Sequence, residues 1–306
     1  MSGDGARLIT AAADNDLPAV KEFLSNKVPV NSRDWDNLTA IIAASGKGHL
    51  DMVKYLLNTA KADLHLKDKD NITALMEASM GGHLNVVEFL AKAGAELDSQ
   101  AASGISPLWL AAGEGHLPVV KFLLGKKADP NTKRSDGITA LMAASSGGHA
   151  EVVKALLGAK ASPNGQDKEG LTALITAAEN GSEPIVRLLL DHKAEVNIMS
   201  ENGFSPLIIA CAHGHLKIVQ MLLSAGADLS LPHPELVTPL MYASAGGFPD
   251  LVSFLIEKGG PETVNARHKQ GGSALMEAST AGNVTVVEIL LKNGADPLIG
   301  KESLVT

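Results

Sequence analysis

A short motif recurs along the whole chain at a near-constant interval: a hydroxyl residue, then alanine or proline, then isoleucine or leucine. Its copies are Thr39-Ala40-Ile41, Thr73-Ala74-Leu75, Ser106-Pro107-Leu108, Thr139-Ala140-Leu141, Thr172-Ala173-Leu174, Ser205-Pro206-Leu207, Thr238-Pro239-Leu240 and Ser273-Ala274-Leu275. The hydroxyl residues stand 34, 33, 33, 33, 33, 33 and 35 residues apart, and a degenerate copy, Ala6-Arg7-Leu8, lies one period upstream. Such a period constrains the fold more than local propensity does. Each copy is one supersecondary unit that cannot bury its apolar face alone, so the units must stack.

Each copy carries its own start and stop signals. The Ser or Thr can accept hydrogen bonds from the free N–H groups of a helix start, and proline is tolerated directly after it. The short helix is ended by Gly48, Gly82, Gly115, Gly148, Gly181, Gly214, Gly247 or Gly282, with Asn15 in the first copy. Glycine and asparagine are the residues that accept left-handed backbone there. A second helix carries apolar residues at helical spacing, as in Leu117, Val119, Val120, Leu123 and Leu124. It closes at turns such as Gly94-Ala95-Glu96 and Gly226-Ala227-Asp228. A polar hairpin with a further turn residue (Gly104, Gly137, Gly170, Gly203) then leads to the next hydroxyl.

With Ser106-Pro107-Leu108, Gly115-His116, Leu123-Leu124 and Asn131 in order, and nine copies in register, the chain resembles the ankyrin-repeat family over essentially its whole length. The resemblance implies an all-α solenoid of helix–turn–helix units with β-hairpin-like turns, whose short inner helices and hairpins line a concave face. A single domain over 1–306 is expected, with repeats near 5–33, 34–67, 68–100, 101–133, 134–166, 167–199, 200–232, 233–267 and 268–300 and a tail at 301–306. Family repeats place a histidine after the Thr-Pro-Leu triplet, hydrogen-bonded between units. Here Ile9, Ile42, Met76, Trp109, Met142, Ile175, Ile208, Met241 and Met276 stand there, so apolar packing is expected to replace that link. Leu236 takes a turn position held elsewhere by Gly or Asn, Gly259-Gly260-Pro261 adds two residues to repeat 8, and one extra residue lies near Lys61. The last long helix keeps Val286, Val287, Ile289, Leu290 and Leu291, much like an internal copy, and the tail through Leu304 and Val305 is itself partly apolar.

Composition narrows the function. The net charge is −8 and no Lys/Arg run exceeds Lys133-Arg134, so the basic footprint of a nucleic-acid binder is missing. One cysteine, Cys211, excludes an intramolecular disulfide framework and fits a reducing compartment. The N-terminus shows no secretory pattern, and no apolar run approaches a membrane span. A cytoplasmic protein is expected, with a plastid or other organelle after transit-peptide removal, or the nucleus, as alternatives.

Residues that could carry chemistry read as structural. His49, His83, His116, His149 and His215 follow helix-ending glycines, and successive copies one helix spacing apart are too far separated to share a metal; hydrogen bonding between repeats is expected instead. His213-Gly214-His215 has no third ligand at metal spacing. Gly113-Glu114-Gly115 and Gly46-Lys47-Gly48 fit no phosphate-loop fingerprint. Cys211 replaces Ser145, Ser244 or Ser279 and reads as a small packed residue, while Asn37 and Asn71, although in glycosylation triplets, stand where other copies use Gly. No cofactor, metal or small-molecule substrate is expected, and the chain reads as a non-enzyme.

Function would then lie on the concave face, where inner-helix positions i, i+3 and i+4 share one side. One column runs Thr10, Ala43, Glu77, Leu110, Ala143, Thr176, Ile209, Tyr242 and Glu277; the others add Asp14, Lys47, Met80, Glu114, Glu179, Asn180 and His213. Five carboxylates against Lys47 give this strip a formal −4. The hairpin tips add −3, from Asp36, Asp70, Asp136, Glu169, Glu201 and Glu235 against Lys69, Lys168 and Lys269. An apolar stripe (Leu38, Ile72, Ile105, Ile138, Leu171, Phe204, Val237) is either hairpin packing or a ladder for an apolar segment. Trp35 is the best single anchor. The expected partner-binding set is Trp35, Lys47, Glu77, Met80, Leu110, Glu114, Glu179, Asn180, His213 and Tyr242, and the partner is another protein with a basic or mixed basic–apolar surface. The chain is expected to be a scaffold or adaptor, the alternative being a stable subunit of a larger complex.

Overall fold

Extended backbone at each hydroxyl residue, followed by helical backbone, starts the inner helix of a repeat in the computed structural model, which describes residues 3–231 and 233–299. At Thr73, Ser106, Thr139, Thr172, Ser205 and Thr238 the side-chain oxygen accepts the N–H three residues on, as from Met76 at 3.2 Å. Thr39 and Ser273 hold the same backbone without that bond.

The chain divides into two compact units, Met1–Ser162 and Pro163–Thr306. The first contains helices α1 (Gly3–Ala13) and α2 (Leu17–Ser25), α3 (Ala40–Gly46) and α4 (Leu50–Lys54), α5 (Ala74–Met80) and α6 (Leu84–Lys92), α7 (Pro107–Gly113) and α8 (Leu117–Gly125), and α9 (Ala140–Ser146) and α10 (Ala150–Gly158). The second contains α11 (Ala173–Glu179) and α12 (Glu183–Asp191), α13 (Pro206–Ala212) and α14 (Leu216–Ser224), α15 (Pro239–Gly246) and α16 (Pro249–Gly259), and α17 (Ala274–Thr280) and α18 (Val284–Lys292). Among the described residues the only β contact is an isolated bridge between Lys133 and Thr139, so the fold is the expected all-α arrangement.

Odd-numbered, inner helices pack on the inner helices of neighbouring repeats within each unit, and more closely than the outer helices do on theirs. A column of wholly buried alanines allows that approach: Ala44, Ala78, Ala111 and Ala144 in the first unit, Ala177, Ala210, Ala243 and Ala278 in the second. Most outer helices bury two adjacent apolar residues and a leucine three or four positions on, such as Val86, Val87 and Leu90 on α6. The residues replacing the family's histidine pack as expected at Ile42, Met76, Ile175, Ile208 and Met241. Trp109 departs from apolar packing, since its indole N–H donates to the Ile138 carbonyl of the next repeat (3.1 Å), and Met276 is exposed.

The left-handed stops occur where expected, with φ of 74° at Gly48 and 61° at Asn15. The turn after the outer helix is a different matter. Glycine holds it at Gly94 and Gly226, but Lys27, Lys61, Lys127, Lys160 and Lys193 hold the same left-handed backbone, with φ of 61–67°. The extra residue near Lys61 lies inside the helix, where Tyr55–Thr59 form a π-helical turn closed by Ala60 N–H to the Tyr55 carbonyl. Repeat 8 absorbs its two extra residues by lengthening α16 to Gly259 and adding a 3₁₀ turn, Pro261–Thr263. On α18, Val286 and Leu290 are buried while Val284 and Leu291 are exposed, as is Leu298 beyond the helix; the apolar pair Leu304 and Val305 lies outside the described residues.

Candidate functional site

The hairpins that flank the inner helices are organised by their first residue. Asp34, Asp68 and Asp167 each turn a carboxylate oxygen onto the N–H groups two and four residues on, at 2.7–2.9 Å. Neighbouring tips are joined by backbone bonds: Lys69 N–H to the Asp36 carbonyl, Ala102 to Asp70 and Ser135 to Ser103 in the first unit, Glu201 to Glu169 and Lys269 to Glu235 in the second. The apolar residue before each cap, Leu38 through Val237, is half-buried in every copy, as hairpin packing requires.

In the first unit Lys47, Met80 and Glu114 stand exposed at the C-terminal ends of α3, α5 and α7, with Glu77 and Leu110 half-buried beside them on α5 and α7. Glu77 lies so close over the preceding inner helix that a Cβ on Gly46 would fall 2.6 Å from its Oε2. Burial, and then the charge of Asp68, push its carboxyl above the usual range, while Lys47 pulls it down. Trp35, at a hairpin tip, is 87% exposed.

The tips are less acidic than counting from sequence implies. Asp36 is paired with Lys69 (2.7 Å), Glu235 with Lys269 (3.6 Å), and Asp136 with Arg134, a cation the count left out. Arg134 also stacks on Trp109, its guanidinium carbon 5.6 Å from the ring centroid. Sequence alone does not join this group, because Trp109 and Arg134 belong to different repeats.

In the second unit Glu179 and Asn180 are exposed at the end of α11, and His213 is exposed after α13. The His213 ring stacks on His215 (6.0 Å between centroids) and its Nδ1–H donates to the Ile209 carbonyl, so one face and one nitrogen already have partners. Tyr242, half-buried on α15, belongs to an aromatic cluster with Phe204 (5.7 Å) and His233 (6.1 Å), and burial raises its phenol pKa. His233 and His268 take the hairpin position held by Asp34, Asp68 and Asp167, and nothing in the repeat reading pointed to them. The signal was a pair nine residues apart, hairpin residue and inner-helix residue: Asp68 with Glu77, His233 with Tyr242, His268 with Glu277.

Each of the five glycine-following histidines donates from Nε2 to a carbonyl of the preceding repeat: His49 to Ala13, His83 to Gly46, His116 to Met80, His149 to Gly113 and His215 to Glu179, at 2.8–3.0 Å. Cys211 is wholly buried on α13, and burial pushes its thiol pKa far up, the reverse of what a nucleophile needs. No helix among the described residues is long and apolar enough to cross a membrane.

A family model described as ankyrin repeats in three copies matches residues 8–101, 94–167, 141–233 and 232–300. The chain is also similar to the liver isoform of mitochondrial glutaminase from Rattus norvegicus, 34% identical over 56 residues, which is 18% of this chain and 9% of that protein. Those 56 residues are fewer than two repeats, and the similarity carries no activity to this chain.

Proposed function

The chain belongs to the ankyrin-repeat family, whose repeats are protein–protein interaction modules, and from that premise we propose that it is a non-catalytic scaffold or adaptor whose inner-helix face captures a basic or mixed basic–apolar protein surface. One observation carries the reading: Glu77 and Glu114 in the first unit, and Glu179 in the second, each stand on or directly beyond an inner helix with no ion-pair partner among the described residues. A cationic partner meets them without first breaking an internal pair, and long-range attraction speeds its arrival. The cytoplasm suits this role and the single buried thiol.

The test begins with capture of partners from native extract and mass spectrometry. Affinity for the recovered partner is then measured across a salt series, with the native chain and with Glu77, Glu114 and Glu179 all reversed to Lys. Affinity should fall with salt and drop by about tenfold or more on reversal. An unchanged dissociation constant places binding elsewhere. Exposed Val284, Leu291 and Leu298 favour a second reading, a subunit docked permanently through α18, for which co-purification at fixed stoichiometry is the signature.

A further inference from the structure

Repeats 8 and 9 alter their hairpins in the same way. His233 Nδ1 accepts the Glu235 N–H (3.2 Å) and His268 Nδ1 accepts the Gln270 N–H (3.1 Å), replacing the aspartate oxygens of other copies. An imidazole that accepts at Nδ1 carries its proton on Nε2. His268 Nε2–H donates to Glu277 Oε1 at 3.3 Å. The His233 Nε2–H, in a residue only 7% exposed, has no acceptor among the described residues.

These residues wall an open cleft of about 350 Å³ whose lining includes His233, Tyr242, Met241, Val237, His268 and Glu277. Its charge is uneven. Glu235 is already paired with Lys269, whereas Glu277 receives one N–H, from His268, and has no lysine or arginine partner among the described residues. The cleft thus holds a half-buried carboxylate without a lysine or arginine beside it, next to an aromatic wall. On the hairpin tip Leu236 keeps the left-handed backbone (φ 58°) that Gly or Asn hold in other repeats, and its apolar side chain is 49% exposed.

We propose that this cleft receives an arginine side chain from an extended segment of the partner protein. The inference rests on the protein-binding reading and names the group recognised at one place. A guanidinium is planar, weakly hydrated and rich in donors: it can lie against Tyr242 while its fork meets the Glu277 carboxylate. An apolar neighbour of the arginine covers Leu236. An anionic side chain is repelled by Glu277.

The probe is a capped tetrapeptide, acetyl-Ala-Leu-Arg-Ala-amide, titrated to about 10 mM into the isotope-labelled full chain and followed by NMR, against its citrulline counterpart. Citrulline keeps the shape and removes the charge. Saturable shifts centred on Tyr242, His268 and Glu277 are expected, with binding about tenfold weaker for the citrulline peptide and for Glu277→Gln, a variant whose amide spectrum should otherwise match the native one. Equal binding of the two peptides overturns the proposal, as does the absence of shifts at these residues. Shifts confined to Glu77, Glu114 and Glu179 overturn the cleft while leaving the basic-partner reading intact; no shifts anywhere count against both.

Discussion

The Nε2–H of His83 donates to the carbonyl oxygen of Gly46 at 3.0 Å, and the same ring fills the space beside Gly48. One side chain thus closes the C-terminal end of the preceding inner helix and packs on the glycine that reverses the chain. The relationship recurs at His116 with Gly82 and at His215 with Gly181. In repeat 9 Asn283 substitutes for the histidine with two bonds of 2.9 Å, to the Ser244 and Ala245 carbonyls.

Replacing His83 with Ala removes the donor and leaves the Gly46 carbonyl dependent on water. A loss of about 1–3 kcal/mol is expected in urea denaturation. Gly48→Ala should cost at least as much, because φ is 74° there and the new Cβ would lie 2.5 Å from His83 Nδ1. The double variant should lose less than the sum, since removing the ring frees the space the methyl needs.

Lys127 and Lys160 hold left-handed backbone, both with φ of 67°, at exposed turns. Glycine adopts that geometry without the Cβ clash, at the cost of a more flexible unfolded chain. Each Lys→Gly change should stabilise by about 0.5–1 kcal/mol, seen as a higher melting temperature. A fall would mean that the lysine stems pack on the turn.

Glu77 titrates above its ordinary value of 4.5 in the folded chain, chiefly through burial. A raised folded value means that folding favours the protonated form, so this contribution is fully present below the unfolded pKa and is lost as pH rises through the folded one. Glu77→Gln lacks the ionisation. The melting temperature of the variant should therefore gain on the native chain between about pH 4 and pH 7, and a constant difference would contradict the assignment.

Cys211 should resist thiol reagents in the native chain and react at an ordinary rate once α13 unfolds, because its thiol is wholly buried and disfavoured as a thiolate. Labelling followed across a urea series therefore reports the opening of α13. Rapid labelling without denaturant would show that the helix opens locally.

Much of this architecture is legible in the sequence because its signals are local. A hydroxyl cap, a left-handed glycine and an apolar stripe at helical spacing each act within a few residues, and a period of about 33 residues repeats the message until it is unambiguous. The turns at Lys127 and Lys160 are not legible for the complementary reason: lysine has no preference for left-handed backbone, and only the packing around the turn imposes it. The π-helical turn at Tyr55–Thr59 is similar, since a single extra residue can be housed in a loop or a helix and the neighbouring repeats select the helix.

The candidate site divides along the same line. Which side chains stand on the inner helices follows from counting along the motif, and Glu77, Glu114 and Glu179 are found there. What each can do depends on neighbours some 33 residues away. Arg134 is turned toward Trp109 and Asp136, His213 is held by its own helix end, and His233 and His268 become part of a cleft only because their hairpins stand beside Tyr242 and Glu277. The sequence by itself determines where the inner helices start and where glycine or asparagine stops them, since those constraints are short-ranged. The tertiary structure alone decides which carboxylates keep an unanswered charge and which donors stay unmet, because pairing and burial are properties of stacked repeats.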